Sequence, residues 1–320
     1  MLRYVLRRLA MLVPVTIGVA LIVFSLLYMT PGDPARMALG EDAPEEAVEQ
    51  FRQKRVLDDP FVVQFGRYVY RAAVHGDIGN SYVTKMPVAH EVAERFPTTM
   101  KLAFSAVLLG VLIGVPWGIV CAVRQYSLFD SVAMIFALLG VSMPNFWLGI
   151  LLILLFSVHL GWLPPSGFGT LDEMVMPAFT LSGGSLAIIA RMTRSSMLEV
   201  IRADYITMAR AKGQKESVVI WRHALPNALI PVITVAGIQF GRLLGGSILT
   251  ESVFSIPGVG RLMVDSIKMR DFPMVQGGVL FIAVAFCVIN LAVDLLYAWV
   301  DPRIKRSEER RVGKECRSRW

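Results

Sequence analysis

Charge is missing from most of the long stretches of this sequence, and cysteine, histidine and recognisable catalytic strings are scarce throughout. No Asp, Glu, Lys or Arg occurs in 9–29, 102–123, 132–160 or 175–190. The first three runs reach or exceed the roughly 20 apolar residues that a hydrocarbon core of about 30 Å requires of a helix. With 55% hydrophobic residues among 320, the chain holds more apolar side chain than one soluble core of this size buries. The expected solvent is therefore lipid. Of three cysteines, Cys121 and Cys287 lie in apolar runs and Cys316 in the tail, so no disulfide framework follows. No G-x-x-x-x-G-K-S/T string is present, and the Gly313-Lys314 pair lacks the rest of it, so ATP has no phosphate loop in this chain. No His/Cys cluster has metal spacing and no Ser-His-Asp grouping stands out. Catalytic residues, cofactor ligands and metal ligands are accordingly assigned to none, and His75 and His90 read as surface histidines.

What is present is organised by the apolar runs. Arg3, Arg7 and Arg8 precede the run 9–29, which is longer than an ordinary signal-peptide core and ends in Thr30-Pro31-Gly32-Asp33-Pro34 without a small-x-small cleavage site, so it reads as a retained first span. The region 31–97 is polar and mixed in charge, too long for a turn, and reads as a small cap or a pair of surface helices. Spans follow at 102–123 and 132–160. The first carries Gly110 and Gly114, whose spacing lets a neighbouring helix approach closely; the second is interrupted by Pro144 and Asn145, read as a packing kink or a substrate contact. A shorter run, 175–190, ends at Arg191 and Arg194, which mark its aqueous end. A fifth span covers 228–250, with Gly237, Gly241, Gly245 and Gly246 pointing to tight packing or a lined passage, and a sixth covers 277–300.

Between the fourth and fifth runs lies the one long basic segment between apolar runs, 191–227. In 201–227 two short helices are expected around a break. Ile201, Tyr205 and Met208 share one face, Gly213 is a natural left-handed stop, Val218, Trp221 and Leu225 form a second stripe, and Pro226 disfavours a helical Leu225. The spacing Ala209-x-x-x-Gly213, nine residues, His223-x-Leu225-Pro226 resembles the E-A-A-x-x-x-G, nine residues, I-x-L-P loop of ABC importer permeases, with Thr207 and Met208 in place of Glu and Ala and His223 in place of Ile. The longer strings Tyr205-x-x-x-Ala209-Arg210-Ala211-Lys212-Gly213 and Arg222-His223-Ala224-Leu225-Pro226-Asn227 resemble the peptide and nickel branch of that family. So do Val253-Phe254-Ser255-Ile256-Pro257-Gly258, with Arg261 and Asp271-Phe272-Pro273, and the closing Asp301-Pro302-Arg303-Ile304. The likeness covers roughly 1–305; the basic tail to Trp320 falls outside it and is read as an extension that need not be native.

The resemblance implies an all-α integral membrane protein with six transmembrane helices and the type I ABC importer permease fold. It also implies that the loop docks on a separate ATPase, through Tyr205, Ala209, Arg210, Ala211, Lys212, Gly213, His223, Leu225 and Pro226. Implied partners are a second homologous permease, two ATP-binding subunits that hydrolyse the ATP, an extracytoplasmic substrate-binding protein facing 31–97, and membrane lipid. The substrates implied for the branch are dipeptides and oligopeptides, glutathione, nickel complexes and some sugars; a peptide is favoured. An ion-coupled secondary transporter is the alternative, for which Asp294 and the broken runs are the available features. Orientation comes from the bases themselves. Three precede residue 9, one is Arg124, seven lie in 191–222 and eight follow residue 300, against none in 161–174 and three in 251–275. The long 31–97 region, with eight, is weakly governed by this rule, so both termini and the basic loop are expected in the cytoplasm. That clustering also accounts for the net charge of +7 without a nucleic-acid partner. Arg242 lies 14 residues past Ala228, roughly 21 Å along a helix, which suits either the external mouth of a passage or a pair with Glu251 or Asp265.

Overall fold

The computed structural model of the chain describes residues 2–300 apart from 41 and 57, and side chains at 10–293 and 295 except at 55. The closing motif 301–304, the tail with Cys316, and the side chains of Arg3, Arg7, Arg8, Asp294, Tyr297 and Trp299 lie outside the described residues. Apart from one bridge between Asn80 and Pro87, regular structure among the described residues is helical. The order is α1 Leu2–Tyr28, α2 Pro34–Leu39, α3 Glu45–Arg55, α4 Phe61–Tyr70, α5 Val88–Val123, α6 Leu128–Ser142, α7 Asn145–Leu152 and α8 Leu171–Ile201. It continues with α9 Asp204–Ala211, α10 Glu216–Val218, α11 Leu225–Gly246, α12 Ile248–Val253, α13 Val259–Lys268 and α14 Phe272–Val300. Wider π turns follow α4, α7 and α10. Five helical stretches are long and apolar enough to cross a membrane, and the bent pair of α6 with Asn145–His159 makes a sixth.

That pair differs from the kinked single helix expected over 132–160. Met143 and Pro144 are both extended (ψ 129° and 130°), and the chain turns by 102°. Pro144 drives the residue before it out of the helical region, then heads the next helix, where its missing N–H costs nothing. Helices elsewhere overrun the apolar runs. The helix α5 begins at Val88 and carries Pro97 within it, and α8 continues to Ile201. Arg194 therefore does not mark a helix end. Its guanidinium forks onto Asp130 of α6, Nε to Oδ1 at 2.8 Å and Nη2 to Oδ2 at 2.6 Å, with the Tyr126 amide donating to the same carboxylate at 3.1 Å. Asp130 is 4% exposed, and only this paired, hydrogen-bonded arrangement makes its burial tolerable.

Contacts divide the chain into two units. One holds residues up to 102, 164–174 and 244–288. Its 31–97 region is three short helices rather than a pair. Asp33 caps α2 by accepting from the Ala35 amide at 3.0 Å and holds Arg52 of α3 at 2.8 Å. Burial pushes the Asp33 carboxyl up, but Arg52 and the Ala35 amide outweigh it and leave the group below the usual carboxylate range. Phe61 and Phe65 of α4 pack edge-on against Phe24 of α1 at 5.4 and 5.6 Å.

Two wholly buried carboxylates order the rest of this unit. Glu251 accepts from Thr99 Oγ1 at 2.8 Å, Ser247 Oγ at 3.0 Å and the Arg261 amide at 3.1 Å, so it closes the open amides at the start of α13. Its burial pushes the carboxyl up, and these donors pull it back only in part. Asp271 heads α14 and accepts from the Tyr82 amide at 2.9 Å and the Ser81 hydroxyl, pinning the turn after Asn80.

The other unit holds 103–163, 175–243 and the described residues from 289. Here the glycine spacing does what it promises. A Cβ at Gly110 would sit 3.3 Å from Ser185 Oγ, at Gly114 2.9 Å from the Leu186 carbonyl, and at Gly118 2.5 Å from the Ala190 carbonyl, so α5 and α8 touch backbone to backbone. Gly237 and Gly241 of α11 instead leave room for the Val293 and Asn290 side chains of α14, whereas Gly245 and Gly246 face open space. Gly118→Leu is expected to part α5 from α8 and destabilise the protein by about 2–4 kcal/mol, while Gly184→Ala, with nothing within 4 Å, leaves thermal unfolding of the purified protein unchanged.

Candidate coupling loop

The segment from Ile201 to Asn227 is a helix, a left-handed stop and a helical return. The helix α9 ends at Ala211, Lys212 caps it, and Gly213 takes φ +73° with its amide donating to the Arg210 carbonyl at 2.9 Å. This is the left-handed stop expected at Gly213. The return passes through α10 and the π turn Val219–Ala224 straight into α11, with Leu225 helical at φ −57°, ψ −45°. Pro226 therefore does not break the chain at Leu225 as expected. It is the second residue of α11, and the wider turn before it shifts the carbonyl that a proline ring would otherwise strike.

Ile206 and Ala209 of α9 and Val219, Ile220 and Ala224 of the return are buried together with Met197 of α8 and Ile119 and Ala122 of α5. The two stripes seen in the sequence mostly face the other way. Tyr205 is 46% exposed, Met208 61% and Trp221 57%, and Val218 is exposed beside them. The loop thus has two apolar faces. One is joined to the ends of α5 and α8; the other is bare and flanked by exposed Arg202, Lys212 and Arg222.

Polar contacts close the hairpin. Arg210 forks onto Glu216 across the Gly213 turn, Nε to Oε2 at 3.1 Å and Nη2 to Oε1 at 2.6 Å. A His223 ring nitrogen meets Gln214 Oε1 at 2.7 Å, and the Asn227 amide donates to the Tyr205 hydroxyl at 3.0 Å and to the His223 carbonyl at 3.2 Å. Of the residues singled out in the sequence, Tyr205, Arg210, Gly213 and His223 belong to this closure, Ala209 to the core, Ala211 and Lys212 to the exposed end of α9, and Leu225 and Pro226 to the head of α11. Gln214 and Glu216 were not singled out. Opposite charges on either side of a glycine stop were the available signal for Glu216.

The remaining candidates lie apart from the loop in sequence. Pro144 is exposed and Asn145 half-buried at the break between α6 and α7. Arg242 is exposed on α11 and has no ion pair among the described residues. The acids weighed as its partners are held otherwise, Glu251 as described and Asp265 by Arg261 at 3.6 Å.

The fold, with its broken span and its basic hairpin before the fifth span, is that of type I ABC importer permeases, as solved structures show. Among solved structures, the MetNI methionine ABC transporter matches with a TM-score of 0.53 at 21% identity, covering 66% of this chain and 96% of that one. An amino acid ABC transporter matches with a TM-score of 0.50 at 20% identity, covering 67% and 94%. The family model for the binding-protein-dependent transport system inner membrane component matches residues 114–306, and its N-terminal companion matches 1–103. The dipeptide transport system permease protein of Alkalihalophilus pseudofirmus is 43% identical across 95% of this chain and all of its own length. The glutathione transport system permease protein of Escherichia coli K12 is 45% identical across 95% and 99%. The chain belongs to the family of inner-membrane components of binding-protein-dependent transport systems, and it is a multi-pass protein of the bacterial cytoplasmic membrane.

Because Gly213 stands at positive φ in open space, its substitution tests the turn alone. Gly213→Val is expected to strain it by about 1–2 kcal/mol and to lower substrate-stimulated ATP hydrolysis in the reconstituted transporter, and Gly213→Asn, which tolerates this conformation, to retain most of it.

Proposed function

We propose that this chain is one of two permease subunits of a peptide importer, and that the bare face of 201–227 is its docking surface for the ATPases. The observation that carries the reading is the two-faced loop. Tyr205, Met208 and Trp221 have no role in the internal core, yet the residues beside them in sequence are fully packed, so the exposed row is held ready for another surface. ATP is hydrolysed by those partner subunits, and this chain contributes no ATPase site of its own. A binding protein outside the membrane delivers substrate to the side bearing 31–97. The substrate is a peptide of the dipeptide to oligopeptide class, in keeping with relatives named for a dipeptide and for glutathione. Family membership sets aside the ion-coupled secondary transporter.

Orientation follows from the distribution of bases, with the termini, 191–227 and the tail in the cytoplasm. A single cysteine at Gln214 should react with an impermeant thiol reagent only from the cytoplasmic side, and one at Glu45 only from the opposite side. Labelling of both from one face would overturn the topology.

Arg242 is the base best placed to act on substrate. With Glu251 and Asp265 engaged by other groups, its guanidinium, which has no ion pair among the described residues, suits the external mouth of the passage, where it attracts the carboxylate of an arriving peptide. Arg242→Gln should abolish the preference for a free peptide over its C-terminal amide in uptake assays while assembly and ATP hydrolysis persist. Equal loss of both peptides with poor assembly would leave a structural role alone.

A further inference from the structure

The unit that contains α1, α4 and the first part of α14 carries an open apolar slot of about 460 Å³. Leu12, Thr16 and Ala20 of α1 form one wall, Ala72 of the π turn after α4 another, and Leu280 and Val284 of α14 a third. At one end Tyr68 also lines a second, polar cavity of about 120 Å³, together with Arg67, Arg71 and Gln276. Two buried donors here, the Tyr68 hydroxyl and the Gln276 amide nitrogen, have no hydrogen-bond partner among the described residues. Tyr68 is 7% exposed, and an unpaired group at that depth costs about 1–3 kcal/mol. Arg67 is held by Asp59 at 3.4 Å, whereas Arg71 is exposed with no ion pair among the described residues.

We propose that this slot and its polar annex bind one membrane glycerophospholipid, with an acyl chain between α1 and α14 and the phosphate-ester end at Tyr68, Gln276 and Arg71. Its dimensions match. From Phe24, at the annex, to Leu12, in the slot, is 12 residues of α1, about 18 Å, and half of a 30 Å hydrocarbon core is about 15 Å. Two of the walls are helices that cross the membrane. Val63, Tyr70 and Val74 leave an apolar row of α4 and its following turn uncovered, as a helix lying at the lipid interface requires. The pairing of a long apolar slot with hydroxyl, amide and guanidinium donors at one end fits an amphiphile with an anionic head. A transmembrane helix of a partner subunit arrives with its backbone groups already bonded and leaves both donors unsatisfied. Burial pushes the Tyr68 phenol up to about 12, so the hydroxyl stays a neutral donor at any physiological pH.

The test uses the assembled transporter, delipidated and then titrated in detergent with phosphatidylglycerol or phosphatidylethanolamine, with retained lipid counted by native mass spectrometry. The wild type should keep one phospholipid per copy of this chain, Arg71→Gln should weaken the phosphatidylglycerol arm, and Ala72→Trp, which fills the slot, should lose the lipid. Tyr68→Phe keeps the ring and removes only the donor, so it decides the matter even where the tryptophan disturbs packing; about tenfold weaker retention is expected. A wild-type complex that keeps no lipid, as when a partner helix occupies the slot, or a Tyr68→Phe complex that keeps it unchanged, overturns the proposal.

Discussion

In one half of this molecule everything hangs on how closely α5 and α8 approach. Lipid tails are as apolar as leucine, so the hydrophobic effect that joins helices in water gives little between spans, and van der Waals contact must substitute. Gly110, Gly114 and Gly118 recur at every fourth position and bring the α5 backbone against the α8 backbone at Leu186, Ala190 and Arg194. A fork between Arg194 and Asp130 then ties α6 to the same helix. With the two long helices fixed, Ile119 and Ala122 at the end of α5 and Met197 near the end of α8 present one continuous apolar platform, and the buried face of the hairpin sits on it.

The other unit solves a different problem, that of helix starts held by carboxylates from inside the unit. The first amides of a helix have no partner within it, and a carboxylate can meet several of them at once. Glu251 closes α13, Asp271 closes α14 and the 81–84 turn, and Asp33 closes α2 and reaches α3. A Cβ at Gly258 would collide with the Glu251 carboxylate, and one at Gly260 would sit 2.6 Å from the Ile248 backbone and 2.9 Å from that carboxylate. The same acids that break up the hydropathy pattern there are what order the chain.

How far the sequence disclosed this depends on which kind of force was at work. Apolar runs, glycine spacing and the stop at Gly213 each have a short-range cause, so they were legible, and the motif around 205–227 carried the family. Long-range pairs had no local signature. Arg194 looked like an orientation charge because Asp130 is 64 residues away, and Glu251 looked like a partner for Arg242 because Thr99 is 152 residues away. The hairpin stripes were found at the right period, but periodicity alone does not say which of two apolar faces is inward. Tyr205, Met208 and Trp221 lie one position or so from Ile206, Ala209 and Ile220, and only the packed ends of α5 and α8 separate the two sets. At Pro144 the residue was noted and its effect understated, since a proline with an extended residue before it turns the chain by 102° instead of kinking it.

The docking proposed for the two-faced hairpin also sets how a signal would pass through it. A docking helix on a flexible loop would absorb the movement of its partner. Here Ile206, Ala209, Val219, Ile220 and Ala224 share a dry core with side chains of α5 and α8, and the Arg210–Glu216 fork and the Asn227–Tyr205 bond hold the two arms together across the Gly213 turn. Close-packed cores do not deform continuously, so a displacement imposed on Tyr205, Met208 and Trp221 must either carry the ends of α5 and α8 with it or break that core. Moving the helices preserves that core, and the contacts between α5 and α8 recur turn by turn at Gly110, Gly114 and Gly118. On the proposed docking, coupling is a property of rigid attachment, secured by the buried small and apolar residues behind the exposed row.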